Sequence, residues 1–331
     1  MEAGRAGCDN VGVVVIGRNE GARLQRCLTS LRRDTDRIVY VDSGSTDESV
    51  TASRSLGLIV EELDLATPFT AARARNAGFH RLLDRHPDLD YVFFVDGDCE
   101  VVNGWLTAAT EFLGAHPDVA VVCGRRRERY PERSIYNFLC DVEWDTPVGE
   151  TRACGGDAVM RVDAFEKVSG YRPDLICGEE PELCVRLRQA GWRVWRLAAE
   201  MTLHDAAMYR FGQWWKRTLR AGYAFAQGAA IHGAPPERHW VSESRRAWMW
   251  GLAIPATILL LTALAGPWTL LAFLVYPLQM ARLAARGSRT ASQNWRVAAA
   301  LVLGKFPEML GEVKFTFDRR RGVRTRLIEY K

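Results

Sequence analysis

The chain has 331 residues, 48% of them apolar, with 44 Lys/Arg against 40 Asp/Glu and a formal net charge of +4. That suits one large domain, or a domain with an appendage, and excludes disordered and fibrous classes. The charge is unevenly spread: from Glu237 onward 15 basic and 6 acidic residues give +9, which leaves −5 for the part before it.

Residues 11–17, 37–43, 58–63, 91–96 and 120–124 read as strands, and 22–33, 47–56, 71–83 and 104–116 as helices. This βαβ alternation predicts a largely parallel sheet covered on both faces, with ligands bound beyond the carboxyl ends of the strands. Residues 125–151 read as irregular. A segment at 155–161, a helix at 179–190 and a strand at 194–201 come next, and this half is expected to shape a second substrate's site. Ala234-Pro235-Pro236 marks a domain boundary. Eight cysteines (Cys8, Cys27, Cys99, Cys123, Cys140, Cys154, Cys177, Cys184) include no CxxC pair, which predicts free thiols in a reducing compartment and no structural zinc.

Polar turns close the predicted strands at the ligand edge: Gly17-Arg18-Asn19-Glu20-Gly21 after the first, Asp42 to Asp47 after the second, Asp96-Gly97-Asp98 after the fourth. An acidic i, i+2 pair leaving a buried strand can hold a hard divalent cation against a diphosphate, although Asp-Gly-Asp is also ordinary turn chemistry.

In order and spacing, Val13-Val14-Val15-Ile16, Asn19-Glu20, Val41 to Asp47, Arg73 to Gly78 and Asp96-Gly97-Asp98 resemble the family 2 glycosyltransferases of the GT-A fold. So do Gly155-Gly156-Asp157, Gly178-Glu179-Glu180-Pro181-Glu182-Leu183 with Arg186-Leu187-Arg188, and His204; together these cover residues 10–225. The resemblance implies an α/β fold with the mixed, mostly parallel GT-A sheet (Rossmann-like, nucleotide-sugar-binding). It implies a nucleotide-diphosphate-sugar at the ends of strands one, two and four. Asp42 then meets the pyrimidine base, hence UDP, and Arg75 lies near base and phosphates with Asn76 or Arg73. Asp96 faces ribose and sugar, Asp98 ligates Mg²⁺ or Mn²⁺, and His204 is a further metal ligand, as Asp96 can be. Arg18, Glu20 and Gly156 join the donor-facing residues.

Breaking the sugar C1–O bond loads negative charge onto a diphosphate, which a divalent cation neutralises. The attacking hydroxyl needs a carboxylate to take its proton. Glu180 fits that role at a helix start, where the family more often has Glu-Asp; the extra methylene leaves Glu179 as the other candidate. Acidic residues at a helix N-terminus are also what the macrodipole favours. The resemblance implies single displacement with inversion at C1. Gln213-Trp214-Trp215-Lys216-Arg217, with Arg220, loosely resembles the Gln-x-x-Arg-Trp element of processive synthases, its Trp displaced. Arg217 or Arg220 are therefore candidate phosphate or acceptor contacts, and Trp214-Trp215 a sugar platform or an interfacial anchor. Arg125-Arg126-Arg127 reads as a solvated basic turn, with contact to a phosphate-bearing acceptor as the alternative.

Residues 247–281 are 35 uncharged residues in a row, broken at Gly266-Pro267. One span needs about 20, so a helical hairpin over 247–284 is expected, spanning or re-entrant. Arg245, Arg246, Arg282, Arg286 and Arg289 flank it, and by the positive-inside rule they return the chain to the cytosol. Residues 295–310 read as an interfacial amphipathic helix. The tail from Lys314 holds seven basic and two acidic residues, which suits inner-leaflet anionic lipids rather than nucleic acid. Met1 to Asn10 has no apolar run able to direct the first 230 residues across a membrane. The expectation is thus a cytosolic GT-A domain over 1–235 and a membrane-anchoring region over 236–331 at a bacterial inner membrane, the tail also cytosolic. Such a protein would move a sugar to a membrane-held, lipid-linked saccharide in polysaccharide or glycolipid biosynthesis. A polyprenyl-phosphate acceptor, or a non-catalytic nucleotide-binding scaffold on the same fold, are the alternatives.

Overall fold

The computed structural model describes residues 10–322. The predicted alternation is present as β1 (Val11–Gly17), α1 (Ala22–Leu31), β2 (Ile38–Asp42), α2 (Ser49–Ser55), β3 (Ile59–Glu62), α3 (Ala71–Arg85), β4 (Tyr91–Asp96), a short β5 (Cys99–Val101), α4 (Trp105–Ala115) and β6 (Val119–Glu128). The order β3-β2-β1-β4 runs parallel throughout. Val13, Val14, Val15, Phe93 and Phe94 are wholly buried, because helices cover both faces of such a sheet.

Beyond β4 the sheet turns mixed. The chain continues through α5 (Ile135–Glu143), β7 (Gly149–Glu150), β8 (Ala158–Arg161), α6 (Val162–Lys167), α7 (Glu179–Gln189) and β9 (Arg193–His204). β8 lies antiparallel between β4 and β6, β9 runs parallel to β6, and β5 and β7 pair antiparallel with β9. The stretch 125–151 is therefore not irregular: β6 runs on to Glu128 and α5 comes after it. Its period was hidden because the end of β6 carries Arg125 to Glu128, polar residues of which Arg125, Arg126 and Glu128 are turned inward and Arg127 toward solvent.

The elements that carry the polar turns are tightly set. Thr70 caps α3, its hydroxyl accepting from the Arg73 amide at 3.1 Å. Gly78 lets that helix lie close on the sheet: a Cβ there would stand 2.3 Å from Val14 Cγ1 and 2.7 Å from Val41 Cγ2. Gly178 takes the left-handed conformation (φ 78°) that opens α7, and Glu179, Glu180 and Glu182 fill its first turn. The seven described cysteines are free thiols, as expected; Cys8 lies outside the described residues.

Two compact units emerge. Among the described residues one comprises 10–132 and 140–207, and the other 133–139 and 208–322. The division falls at 207/208 rather than at the Pro-Pro boundary of 235/236, because α8 (Phe211–His232) packs with the later helices. These are α9 (Val241–Trp248), α10 (Ile254–Ala265), α11 (Val275–Ala285), α12 (Ala291–Leu303) and α13 (Lys305–Arg321). Gly222 of α8 and Gly311 of α13 form a close crossing: a Cβ on either would stand 1.9 to 2.0 Å from a backbone oxygen, of Glu308 or of Leu219. The single amphipathic helix expected over 295–310 is instead two helices parted at Gly304, since Pro307 in the first turn of α13 has no N–H to continue the ladder from α12. Two helical segments, Val241–Ala265 and Pro267–Ala285, are long and apolar enough to cross a membrane. They meet at Gly266 (φ 102°), where the hairpin break was expected. Arg324 and Arg326 of the basic tail lie outside the described residues.

A side chain at position 78 must lift α3 from the sheet. Gly78→Val is expected to lower unfolding free energy by about 1–3 kcal/mol in urea titrations. Gly114→Ala, on an exposed helix position with nothing within 4 Å of the new Cβ, should be neutral or stabilising by up to about 1 kcal/mol.

Candidate functional site

The site forms where β4, α3, α7 and the 155–157 turn converge. Arg75 of α3 is 2% exposed and sits among three carboxylates: its Nη2 is 2.9 Å from Asp96 Oδ1, and its Nη1 is 2.8 Å from Glu179 Oε1 and 2.9 Å from Glu180 Oε1. Tyr171 faces the same guanidinium at 5.5 Å. Gly156 completes the wall. A Cβ there would stand 2.6 Å from Arg75 Nη2, 3.0 Å from Asp96 Oδ2 and 3.2 Å from Glu180 Oε1, so only glycine leaves this group undisturbed.

On the other side of Asp96, Asp98 and His204 meet. Strand register brings them together: His204 stands opposite Cys99 of β5 and Glu128 of β6. Asp98 Oδ2 is 3.3 Å from His204 Nε2, and His204 Nδ1 is 3.6 Å from Glu128 Oε2. Cis ligands of an octahedral ion with bonds of about 2.1 Å stand about 3 Å apart, so this carboxylate and imidazole suit a divalent cation, with Glu128 behind the imidazole as such ligands commonly have. A carboxylate with an imidazole is a ligand pair open to several divalent ions. Asp98, Cys99 and His204 together place three ligand atoms within 4.8 Å of one another.

Other predicted donor residues have structural partners. Asp42 is buried at the end of β2; its Oδ1 accepts from Tyr40 Oη at 2.8 Å and its Oδ2 from the amides of Gly44 and Ser45 at 2.9 and 2.7 Å. These bonds fix the turn and the carboxylate at the strand end where base contact is expected. Asn76 exchanges two hydrogen bonds with the Tyr171 backbone, and Arg73 donates to the carbonyls of Thr67 and Asp64. Arg18 lies over the Phe69 ring at 4.9 Å, and Glu20 pairs with Arg23 at 2.7 Å. Arg217 and Arg220 are on α8 in the other unit. Gln213 caps that helix, accepting from the Tyr209 and Arg210 amides, and Trp214 is buried against Tyr136 and Phe211, so it serves as packing rather than an open platform.

The Arg125-Arg126-Arg127 cluster is no solvated turn. Arg127 does face solvent, paired with Glu200, but Arg125 reaches Asp141 and Asp145, and Arg126 reaches Asp96 and Asp157. Asp157 is wholly buried, accepting from the Asp96 amide at 3.2 Å and from Thr202 Oγ1 at 2.7 Å. Arg126, read from the sequence as part of a solvated turn or as an acceptor contact, and Asp157, noted there only as part of the family pattern, thus join the acids of the site. The one available signal was Arg126 following a β-rich run, with Asp157 closing the Gly-Gly-Asp turn.

The electrostatics separate the acids. Burial works to raise the Asp96 carboxyl, but the Arg75 and Arg126 guanidiniums hold it below the ordinary aspartate value. Glu180 moves the other way: burial first, then the charge of Glu179, push it up to about 7 against the pull of Arg75. One acid stays charged while its neighbour exchanges a proton near neutrality.

Residues 12–168 match the family described as Glycosyl transferase family 2. The chain is similar to the O-antigen chain rhamnosyltransferase RfbN of Salmonella typhimurium, 23% identical over 205 residues that make 56% of this chain and 63% of that protein. It is also similar to the succinoglycan biosynthesis protein ExoA of Rhizobium meliloti, 25% identical over 197 residues, 55% of this chain and 59% of the other. The chain spans less than two thirds of either relative. In fold it is similar to the mannosyltransferase PcManGT of Pyrobaculum calidifontis, solved with GDP-Man and Mn²⁺, with a TM-score of 0.58 and 22% identity over 94% of this chain and 88% of that one.

Because Glu180 holds its proton more tightly folded than unfolded, its contribution to stability is full below the ordinary glutamate range and is lost as pH rises through about 7. Glu180→Gln removes that loss. Its thermal midpoint should come nearest the wild type's at about pH 4 and exceed it at about pH 8; a difference that does not vary with pH would mean that Glu180 is charged throughout.

Proposed function

From the premise that residues 12–168 belong to glycosyl transferase family 2 and fold as a GT-A domain, we propose that this chain is an inverting, metal-assisted glycosyltransferase. It takes a sugar from a nucleotide-diphosphate-sugar, UDP by the place of Asp42, and passes it to the hydroxyl of a membrane-held, lipid-linked saccharide. The observation that carries this reading is the adjacency of two functions around Asp96: the Asp98–His204 pair on one side and the Arg75-held Glu180 on the other.

Glu180 takes the proton of the acceptor hydroxyl as that oxygen bonds to C1 and the C1–O bond to the diphosphate breaks. Its value near 7 suits a general base at neutral pH. Glu179 shares the same guanidinium, but its side chain is 7% exposed against 15% for Glu180, which favours Glu180 as the group an acceptor reaches. Asp98 and His204 would hold the divalent cation, whose charge offsets what accumulates on the leaving diphosphate. Asp96 has a guanidinium on each oxygen and is poorly disposed to attack C1, which favours direct displacement with inversion. Gly156 keeps the approach between Asp96 and Glu180 open.

The membrane part of the proposal rests on the two apolar helices, whose leucines at 259, 260, 264, 271, 274 and 278 are exposed. With arginines flanking both ends, the hairpin would enter and leave a bacterial inner membrane from the cytosol. Polysaccharide assembly is supported by the names of the O-antigen and succinoglycan relatives.

The test is release of nucleoside diphosphate from a panel of sugar nucleotides, with extracted membrane lipids as acceptor. Release should require Mn²⁺ or Mg²⁺, vanish in Asp98→Ala, and fall by about 10²- to 10⁴-fold in kcat for Glu180→Gln with donor KM little changed. Pyrophosphate in its place would mark a nucleotidyltransferase, and donor binding without release a scaffold. For the anchor, Ser288→Cys, exposed just after α11, should react with an impermeant maleimide in inverted membrane vesicles and not in intact cells.

A further inference from the structure

We propose that Arg126 is a resident counter-cation of the acidic cluster, a positioning residue that holds Asp96 and Asp157 in place whether or not a divalent ion is bound. Its Nη2 is 3.1 Å from Asp96 Oδ2 and 3.4 Å from Cys99 Sγ, and its Nε is 3.5 Å from Asp157 Oδ2. The side chain is 13% exposed. It lies over the Trp144 ring at 4.9 Å, a contact that favours a desolvated guanidinium. The same ring meets His204 edge-on at 4.7 Å, so one indole braces both the guanidinium and the imidazole.

The backbone is shaped for this. Register between β6 and β9 slips twice in succession, between Cys123 and Arg125 and again between Arg125 and Arg126. Such bulges re-aim side chains at functional sites, and here three consecutive arginines part company. Arg125 turns to Asp141 and Asp145, Arg127 to Glu200 in solvent, and Arg126 into the cluster.

The charge balance explains the need. Asp96, Asp98 and Asp157 converge on a buried volume where like charges repel strongly. Arg75 reaches one oxygen of Asp96 and is otherwise engaged by Glu179 and Glu180. Arg126 pairs with the other oxygen of Asp96 and with Asp157. A cation at Asp98 and His204 would act on the same repulsion, so ion and guanidinium partly substitute for one another. A merely packed side chain would show no such exchange.

This rests on reading Asp98 and His204 as a cation site, which Mn²⁺ titration calorimetry on the wild-type chain tests separately. Arg126→Met keeps most of the stem and removes the charge. Its thermal midpoint in EDTA should fall by about 4 °C or more, with saturating Mn²⁺ restoring over half of the loss; Arg126→Lys should lose less. Arg127→Met, whose ion pair is exposed, should move by about 1 °C or less in either buffer. If Arg126→Met does not fold in EDTA, its recovery as soluble protein only with Mn²⁺ present is the same result by another readout. A loss equal with and without Mn²⁺, no loss, or failure to fold in both buffers overturns the proposal while leaving the cation site standing. Absence of Mn²⁺ binding to the wild type overturns both.

Discussion

A guanidinium almost sealed from water is costly unless carboxylates meet it, and the candidate site is organised around one. Arg75 joins three parts of the chain that local structure would not bring together: α3, which carries it, the end of β4 with Asp96, and the first turn of α7 with Glu179 and Glu180, 104 positions beyond Arg75 for the nearer of the two. Two glycines serve that meeting. Gly78 lets α3 approach the sheet, and Gly156 leaves the room that Arg75, Asp96 and Glu180 occupy together. The base candidate and the acid of the β4 turn are therefore set by one shared partner.

The shared partner does not make the two acids alike. Asp96 has a cation on each oxygen and stays ionised, whereas Glu180 shares its cation with Glu179 in a buried place and gives up its proton only near neutrality. Environment rather than residue type assigns the roles, the usual route by which neighbouring carboxylates do different work. Arg126, approaching from the opposite side with Trp144 beneath it, extends the same logic to Asp157.

The second unit obeys another rule. Its helices α8 and α13 cross at Gly222 and Gly311 with backbone against backbone, a contact that needs small residues rather than large apolar ones. Its two long apolar segments turn leucines and Trp268 outward. Apolar surface of this extent marks a contact with lipid or with another protein.

Much of the site was legible because its signals are local. Short β-branched runs followed by polar turns marked the carboxyl edge, and Asp96-Gly97-Asp98 and Gly178-Glu179-Glu180 gained meaning from their place in the longer pattern that resembles family 2 glycosyltransferases; alone they read as a turn and a helix start. The same reading assigned Asp42 and Asn76 to the donor; the structure adds that each also holds local backbone, Asp42 at the turn after β2 and Asn76 at Tyr171. That reading also took three successive arginines for a solvated turn. By itself, then, the sequence determined which strand ends carry polar turns, the early βαβ alternation and the apolar stretch, since each depends on periodicity within one segment. Only the tertiary structure decided that Asp98 touches His204, that Arg75 lies beneath the acids and that Arg126 points inward. Those outcomes depend on register between strands far apart in the chain and on a bulge, where a shift of one residue sends a side chain to the opposite face.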